Sequence, residues 1–379
     1  MAKVLVFCDA YLPGFKAGGP IPSISRIVDT DPDHQFRIVT RDRDIGEHEP
    51  YPSMMPRSWH QVGPVSVAYL RPGLRDTAWV ASEIRSWEPD FYYVNSLQSP
   101  WFALFPLAEI RTRRLPPARV VLAPRGETST GARVLKRRKK HLARPLIKSL
   151  LGSSVTWHVS STLEEADVRQ WWGNGFPRKH DFIVRADLAV PPADHESAGR
   201  SASEPKPVVT FASRIDRMKG LEEAVALMSD IASPFVLRVT GTIKEADYWA
   251  DCLNLAQLEL EPERFRYGGE FTPQDAQRIF AESALMVLPT KGENFGHVIA
   301  EAMSVGCPVL IPDTTPWTPV VVAGGGAILD DACSAREFVE LVLTESPVDR
   351  LERRKRVLEV YRDWFRQYQD VRTLFSVND

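Results

Sequence analysis

Two glutamates separated by seven residues frame the stretch of this chain best suited to chemistry, Lys291-Gly292-Glu293-Asn294-Phe295-Gly296-His297-Val298-Ile299-Ala300-Glu301. The apolar run Ala284 to Leu288 ahead of it predicts a buried strand. Phe295 to Val305 predicts a short helix stopped by Gly306, and Cys307 to Ile311 a second buried strand. In an open parallel sheet the loop after a strand's carboxyl end faces the ligand crevice, and the following helix offers unpaired N–H groups with partial positive charge. The backbone of Asn294, Phe295, Gly296, His297 and Val298 is therefore a candidate cradle for a diphosphate. Glu301 lies between two alanines in an apolar segment and is expected to be mostly buried. A buried carboxylate costs several kcal/mol unless it accepts hydrogen bonds, and sugar hydroxyls can donate them. A nucleotide sugar carries a ribose diol on one side of its diphosphate and a hexose on the other, which suits a carboxylate at each end of the cradle. The plainer alternative makes Glu293 a solvated loop charge and Glu301 a core carboxylate paired with an arginine.

Other stretches offer charge or close backbone approach. Arg214 and Lys219, five apart, flank the strand-to-helix turn after Val208 to Phe211 and suit the charge on a departing diphosphate; either could instead form a surface ion pair. Gly18 and Gly19 follow the strand Lys3 to Cys8 in a loop that lacks the G-x-G-x-x-G fingerprint of dinucleotide binders, so they serve either a ligand's approach or the turn alone. Arg125, in Ala123-Pro-Arg-Gly-Glu127, could neutralise phosphate, hold an acidic acceptor or tie two loops together. Asp42-x-Asp44 has the look of a metal-binding pair, yet Arg41 and Arg43 already supply neutralising charge, so no metal is expected.

Glu-Asn-Phe-Gly-x-x-x-x-Glu-Ala, continuing into Gly-Cys-Pro-Val, resembles the E-x7-E signature of retaining glycosyltransferases of family 4, which have the GT-B fold. The resemblance implies that Glu293 contacts the donor sugar, Glu301 the nucleotide ribose, and the amides from Asn294 to Val298 the diphosphate. Arg214 and Lys219 are similar to the family's G-R-x-x-x-x-K-G segment, with Ser213 in place of the usual glycine. By the same resemblance Gly18 and Gly19 close over donor phosphates and acceptor, and Arg125 lies in a Pro-Arg-Gly turn. Gly241 and Gly268 end loops that border the nucleotide base, and Thr314 to Trp317 lies near the diphosphate. Many relatives carry a histidine near Asn95-Ser96, and this chain does not. Asn95 and Asp42 are accordingly named only as acceptor-side polar contacts. The resemblance further implies retention at the anomeric carbon, no metal, and no cofactor beyond the nucleoside-diphosphate sugar that serves as co-substrate.

The elements needed to hold these residues alternate along the chain. Strands are expected at Gln35 to Thr40, Val65 to Leu70, Phe91 to Val94, Arg119 to Ala123 and Val155 to Val159, with helices at Asp76 to Trp87 and Trp101 to Arg113. Such alternation predicts an α/β protein with a doubly wound sheet. It restarts after the Pro/Ser/Ala-rich segment 191–207 with strands at Phe235 to Thr240 and Phe265 to Tyr267. The expected organisation is two Rossmann-like domains facing a cleft: 1–190 on the acceptor side, a linker at 191–207, a nucleotide-sugar domain at 208–350, and a terminal helix in 351–379 crossing back to the first domain.

At 379 residues the chain is long enough for two cores, and a net charge of −2 gives no reason to expect nucleic acid. Its four cysteines have no metal or redox spacing and read as reduced packing residues. No stretch approaches the ~20 apolar residues of a membrane span, so a cytoplasmic protein is expected. Residues 133–148 carry many lysines and arginines and no acid, interleaved with apolar residues. They read as a solvated helix face, or as a peripheral contact with the inner face of a membrane or a lipid-diphosphate acceptor. The activity expected from all this is transfer of a hexose from a nucleoside-diphosphate sugar to a hydroxyl of a sugar or lipid-linked sugar, with retention, in cell-surface polysaccharide or glycoconjugate biosynthesis. Its rivals are a nucleotide-sugar epimerase of the same fold and a non-catalytic nucleotide-sugar-binding subunit.

Overall fold

The structure is a computed structural model, and the residues it describes are 1–73, 75–129, 137–152, 154–187, 189–194, 206–369 and 374–376. The chain divides into two compact units, Met1–Leu188 with Val371–Asp379, and Ala189–Asp370.

The first unit is built on eight strands: β1 (Lys3–Cys8), β2 (Gln35–Arg41), β3 (Trp59–Val62), β4 (Val65–Leu70), β5 (Phe91–Asn95), β6 (Arg119–Leu122), β7 (Thr156–Val159) and β8 (Asp181–Val184). Their order is β3-β4-β2-β1-β5-β6-β7-β8, parallel throughout except where β3 runs antiparallel to β4. From β1 the chain winds first to β2 and β4 on one side, then to β5 and beyond on the other. The switch point, where an open sheet parts its loops, therefore lies between β1 and β5. Central strands such as Val4 to Cys8 and Phe91 to Asn95 are buried along nearly their whole length because helices cover both faces.

The second unit repeats the plan with β9 (Val208–Ala212), β10 (Val236–Thr240), β11 (Phe265–Tyr267), β12 (Leu285–Val287), β13 (Val309–Ile311) and β14 (Ala327–Ile328). Its order is β11-β10-β9-β12-β13-β14, every pair parallel, so the switch point falls between β9 and β12. Both units are thus doubly wound α/β sheets, as the alternation predicts.

Two details differ from the expectation. The helix expected from Trp101 opens with a π-turn over Pro100–Leu104, capped by Ser99, and continues as an α-helix only over Phe105–Arg111. The half-buried edge strands β3 and β8 and the two-residue β14 lack a continuous apolar run to announce them. The long helix Pro347–Gln369 groups with the second unit and Val371–Asp379 with the first.

Candidate active site

At the switch point of the second unit, the loops after β9 and β12 are laced together. Met218 O accepts from Lys291 N at 2.8 Å and from Thr290 Oγ1 at 3.2 Å. Gly220, at φ 74°, comes so close to the other strand's end that a Cβ would lie 2.2 Å from Pro289 O. This approach delivers Lys219 Nζ to Glu293 Oε1 at 2.6 Å, with side chains only 12% and 9% exposed. Two of the residues singled out from sequence, 74 positions apart, thus form one ion pair.

Beyond Glu293 the chain turns into the helix His297–Ser304 through Gly296, which has φ 82°. Ile299 N and Ala300 N fold back onto Gly296 O, while the N–H groups of Phe295 and Gly296 have no protein acceptor among the described residues. Aromatic rings fix the loop from beneath. Phe295 packs 5.3 Å from Trp317, whose indole N–H donates to Phe295 O, and the tilted ring of Trp364 lies 4.4 Å from that of Trp317. Trp317, with 2% of its surface exposed, supports the loop from the interior, and the half-buried Trp364 packs against it. His297, Val298 and Glu301 share one face of the helix, being three and four positions apart, and all three are half-buried. Glu301 sits half-buried between Ala300 and Ala302, both of which are buried. Asn294 is likewise half-buried.

Arg214 stands apart from this pair, its side chain 41% exposed and its Nη2 4.0 Å from Asp216 Oδ2. Asp216, which sequence reasoning passed over, is buried, accepts from Met218 N at 3.2 Å and pairs with Lys244 at 3.2 Å. Gly241 is required by packing, since a Cβ would lie 1.9 Å from Ser213 O. Its N–H donates to Gly269 O and its carbonyl accepts from Tyr267 OH, both at 2.9 Å; Gly268 N donates to Val239 O at 2.8 Å. The backbone polar groups of Gly241 and the Gly268 N–H are engaged within the sheet edge rather than offered to a base.

In the first unit, Gly18 is exposed at φ 66°, and Gly19 caps the helix Pro20–Thr30 through Ser23 N at 3.2 Å. Arg125 and Asn95, singled out as ligand contacts, face each other in the structure. Arg125 Nε donates to Asn95 Oδ1 at 2.6 Å, Nη2 to Tyr93 OH at 2.8 Å, and Nη1 to the Asp187 carboxylate, which also accepts from Ser23 Oγ at 2.9 Å. Burial acts to lower the Arg125 pKa, but Asp187 and Tyr93 outweigh it and the pKa is raised, so the inter-loop ion pair holds. The same cluster keeps His158 neutral: burial and Arg125 push its pKa down to about 3. His158 Nε2 donates to Arg185 O at 3.1 Å, leaving Nδ1 to accept from Tyr93 OH at 2.8 Å. Glu127, two residues past Arg125, accepts from Ser96 Oγ at 2.8 Å and Leu97 N at 2.9 Å, and burial pushes its carboxyl up to about 7. Asp42 pairs with Arg43 at 2.7 Å, and Asp44 accepts from Phe15 N and Lys16 N at 2.8 and 3.2 Å, so this pair braces its own loops.

Among the described residues no group of three or more His, Cys, Asp or Glu side chains is arranged to hold a metal ion. Of the basic segment, residues 133–136 lie outside the described residues, and Arg137–Leu151 is helical. No helix among the described residues is long and apolar enough to cross a membrane.

Residues 192–345 match the family described as glycosyl transferases, group 1. The matched stretch lies within the second unit. The whole chain has the GT-B fold of glycosyltransferases such as the sucrose-phosphate synthase of Thermosynechococcus elongatus, with a TM-score of 0.70 and 16% identity over 96% of this chain and 95% of that one. HepE of Anabaena, solved with UDP and glucose, gives 0.69 and 16% over 98% and 96% of the two chains. WaaG, a glycosyltransferase involved in lipopolysaccharide biosynthesis, gives 0.63 and 15% over 96% and 95%. At these identities the likeness is one of fold. Among curated protein sequences the chain has no significant match.

Proposed function

We propose that the protein is a glycosyltransferase that moves a hexose from a nucleoside-diphosphate sugar to a hydroxyl acceptor, with retention at the anomeric carbon. The observation that carries the reading is the Lys219–Glu293 ion pair across the β9/β12 switch point, beside the open amides of Phe295 and Gly296. In this reading the amides from Asn294 to Val298 receive the diphosphate and Glu293 accepts from a hydroxyl of the donor hexose. Glu301, on the helix face shared with His297 and Val298, accepts from the ribose. In this scheme residues 208–350 form the donor domain, 191–207 the linker and 1–190 the acceptor side, with only the segment 371–379 grouping with the first unit.

The reaction forms a bond between acceptor oxygen and anomeric carbon and breaks the bond from that carbon to the leaving phosphate oxygen, which takes the acceptor's proton. Same-face attack needs no carboxylate nucleophile. The charge that develops on the diphosphate is met by Lys219 and Arg214, already oriented before the bond breaks, which is where preorganised electrostatics lowers a barrier most. No cofactor and no divalent ion enter the scheme, so chelation by EDTA is expected to leave turnover unchanged. A sugar or lipid-linked sugar is the acceptor in this scheme, with cell-surface glycoconjugates as the product class and no nucleic acid as a partner. In this reading the protein works in the cytoplasm, and the basic sequence 133–148 is the proposed contact with the inner membrane face.

The test is turnover with a panel of UDP-, GDP- and ADP-sugars, with and without acceptors. Glu293→Ala and Lys219→Ala should each lower kcat/KM at least about 100-fold while far-UV circular dichroism stays as in the wild type. Normal turnover in either variant rules out these roles. An isomerised donor in the absence of any acceptor would point to the epimerase, and tight donor binding without turnover to the binding subunit.

A further inference from the structure

Asp216 and Lys244 take no part in that reading, yet their geometry is not that of an ordinary surface pair. Asp216 is 2% exposed, and a carboxylate so buried requires compensation. It receives Met218 N at Oδ1, and Lys244 Nζ and Arg214 Nη2 both reach Oδ2, at 3.2 and 4.0 Å. Neither cation is buried with it, since their side chains are 52% and 41% exposed. Their backbones are fixed even so. Ile215 N donates to Thr242 O at 2.9 Å and Lys244 N to Ile215 O at 3.1 Å. One buried anion thus holds two cationic heads toward solvent from the carboxyl ends of β9 and β10. Lys219 joins them through its N–H, which donates to Asp216 O at 3.0 Å. Counting Arg214, Lys219 and Lys244 against Asp216 and Glu293 gives three cations to two anions, an excess of one positive charge. Arg217 next door contrasts with this: it lies within 4.0 Å of three acids, Glu222, Glu245 and Asp251, and is locally neutralised.

We infer that Lys244 is a third cation of the donor site, contacting a phosphate of the nucleoside diphosphate, and that Asp216 is the positioning residue that sets Lys244 and Arg214 side by side. The inference rests on the donor-site reading above. It is tested by titration calorimetry of the full chain with UDP, GDP and ADP at low and high salt. Lys244→Gln should raise the Kd of whichever diphosphate binds by about tenfold, the scale of one charge-assisted hydrogen bond, and flatten the salt dependence. Lys244→Arg should stay near the wild-type Kd. Asp216→Asn retains an acceptor for Met218 N but releases both cations. It should raise the Kd comparably, and the double variant with Lys244→Gln should show less than the product of the two effects. Unchanged affinity in Lys244→Gln overturns the inference, as does an Asp216→Asn variant that shifts only the melting temperature. A wild-type chain that binds none of the three diphosphates overturns the donor-site reading itself, and the assignment of Lys244 with it.

Discussion

Glu293 and Lys219 were legible in the sequence because their types and their places at strand-to-helix turns carry the chemical message without knowledge of the partner. Arg125 was not: its partners Tyr93, Asn95 and Asp187 come from separate strand ends, and nothing local says that they converge on one guanidinium. Glu127 was missed for the same reason, since only the fold brings Ser96 Oγ and Leu97 N to it. Its titration gives a test at this scale. With its pKa raised by burial from the ordinary 4.5 to about 7, Glu127 favours the folded state most when it is protonated. That contribution is fully present below about pH 4.5 and is lost as pH rises through about 7, because the unfolded chain ionises first. Glu127→Gln, which stays neutral, should therefore lose less stability than the wild type between these two pH values, by about 1–2 kcal/mol after allowing for partial exposure. Urea denaturation of both proteins across that range measures it; parallel stability curves would show that Glu127 titrates alike in the folded and unfolded chains.

At the scale of elements, the central strands and the loop-helix at Glu293 followed from apolar runs and glycine stops, whereas the short edge strands and the π-turn at Pro100 did not. A strand flanked on one side only needs fewer apolar residues, so its pattern is weak even where its pairing is regular. The supports of the active-site loop were half legible. Gly220 reads as a helix start, but its need for a missing side chain comes from Pro289 O on the neighbouring strand. Gly220→Ala combines a Cβ 2.2 Å from that oxygen with a φ of 74°, so the loops after β9 and β12 must separate. The expected result is a destabilisation of more than about 2 kcal/mol, together with weaker donor binding as Lys219 withdraws from Glu293. Chemical denaturation and calorimetry on the same samples read both. A stable variant with wild-type affinity would show that the lacing of these loops does not set the ion pair. Trp317 acts in the same unit through its indole N–H and ring, which explains a bulky aromatic in a loop otherwise made of proline, aspartate and threonine.

For the molecule as a whole, the chain leaves the first unit at Leu188, forms the second unit, and groups with the first unit again from Val371. The returning segment is short, but Leu374 and Phe375 are 2% and 0% exposed. Phe375 lies 5.5 to 6.0 Å from the rings of Phe91, Phe36, His34 and Tyr93, and Ser376 O accepts from Arg119 at 2.9 Å. The sequence places a long arginine-rich helix at this end and so suggests that the helix itself makes the return. The helix Pro347–Gln369 stays with the second unit because Leu358 and Tyr361 are buried there and Arg354 donates to Ser283 O and Val305 O. An aromatic ring delivered from the far end of the sequence should matter to the first unit alone. Phe375→Ala removes a buried ring whose loss costs about 3–5 kcal/mol in comparable cores. Hydrogen exchange followed by mass spectrometry should accordingly show faster exchange in β1, β2 and β5 with little change in β9, β10 and β12. Equal loss of protection in both sheets would mean that the two units unfold as one, and unchanged exchange in the first sheet would mean that its core closes without the terminal segment.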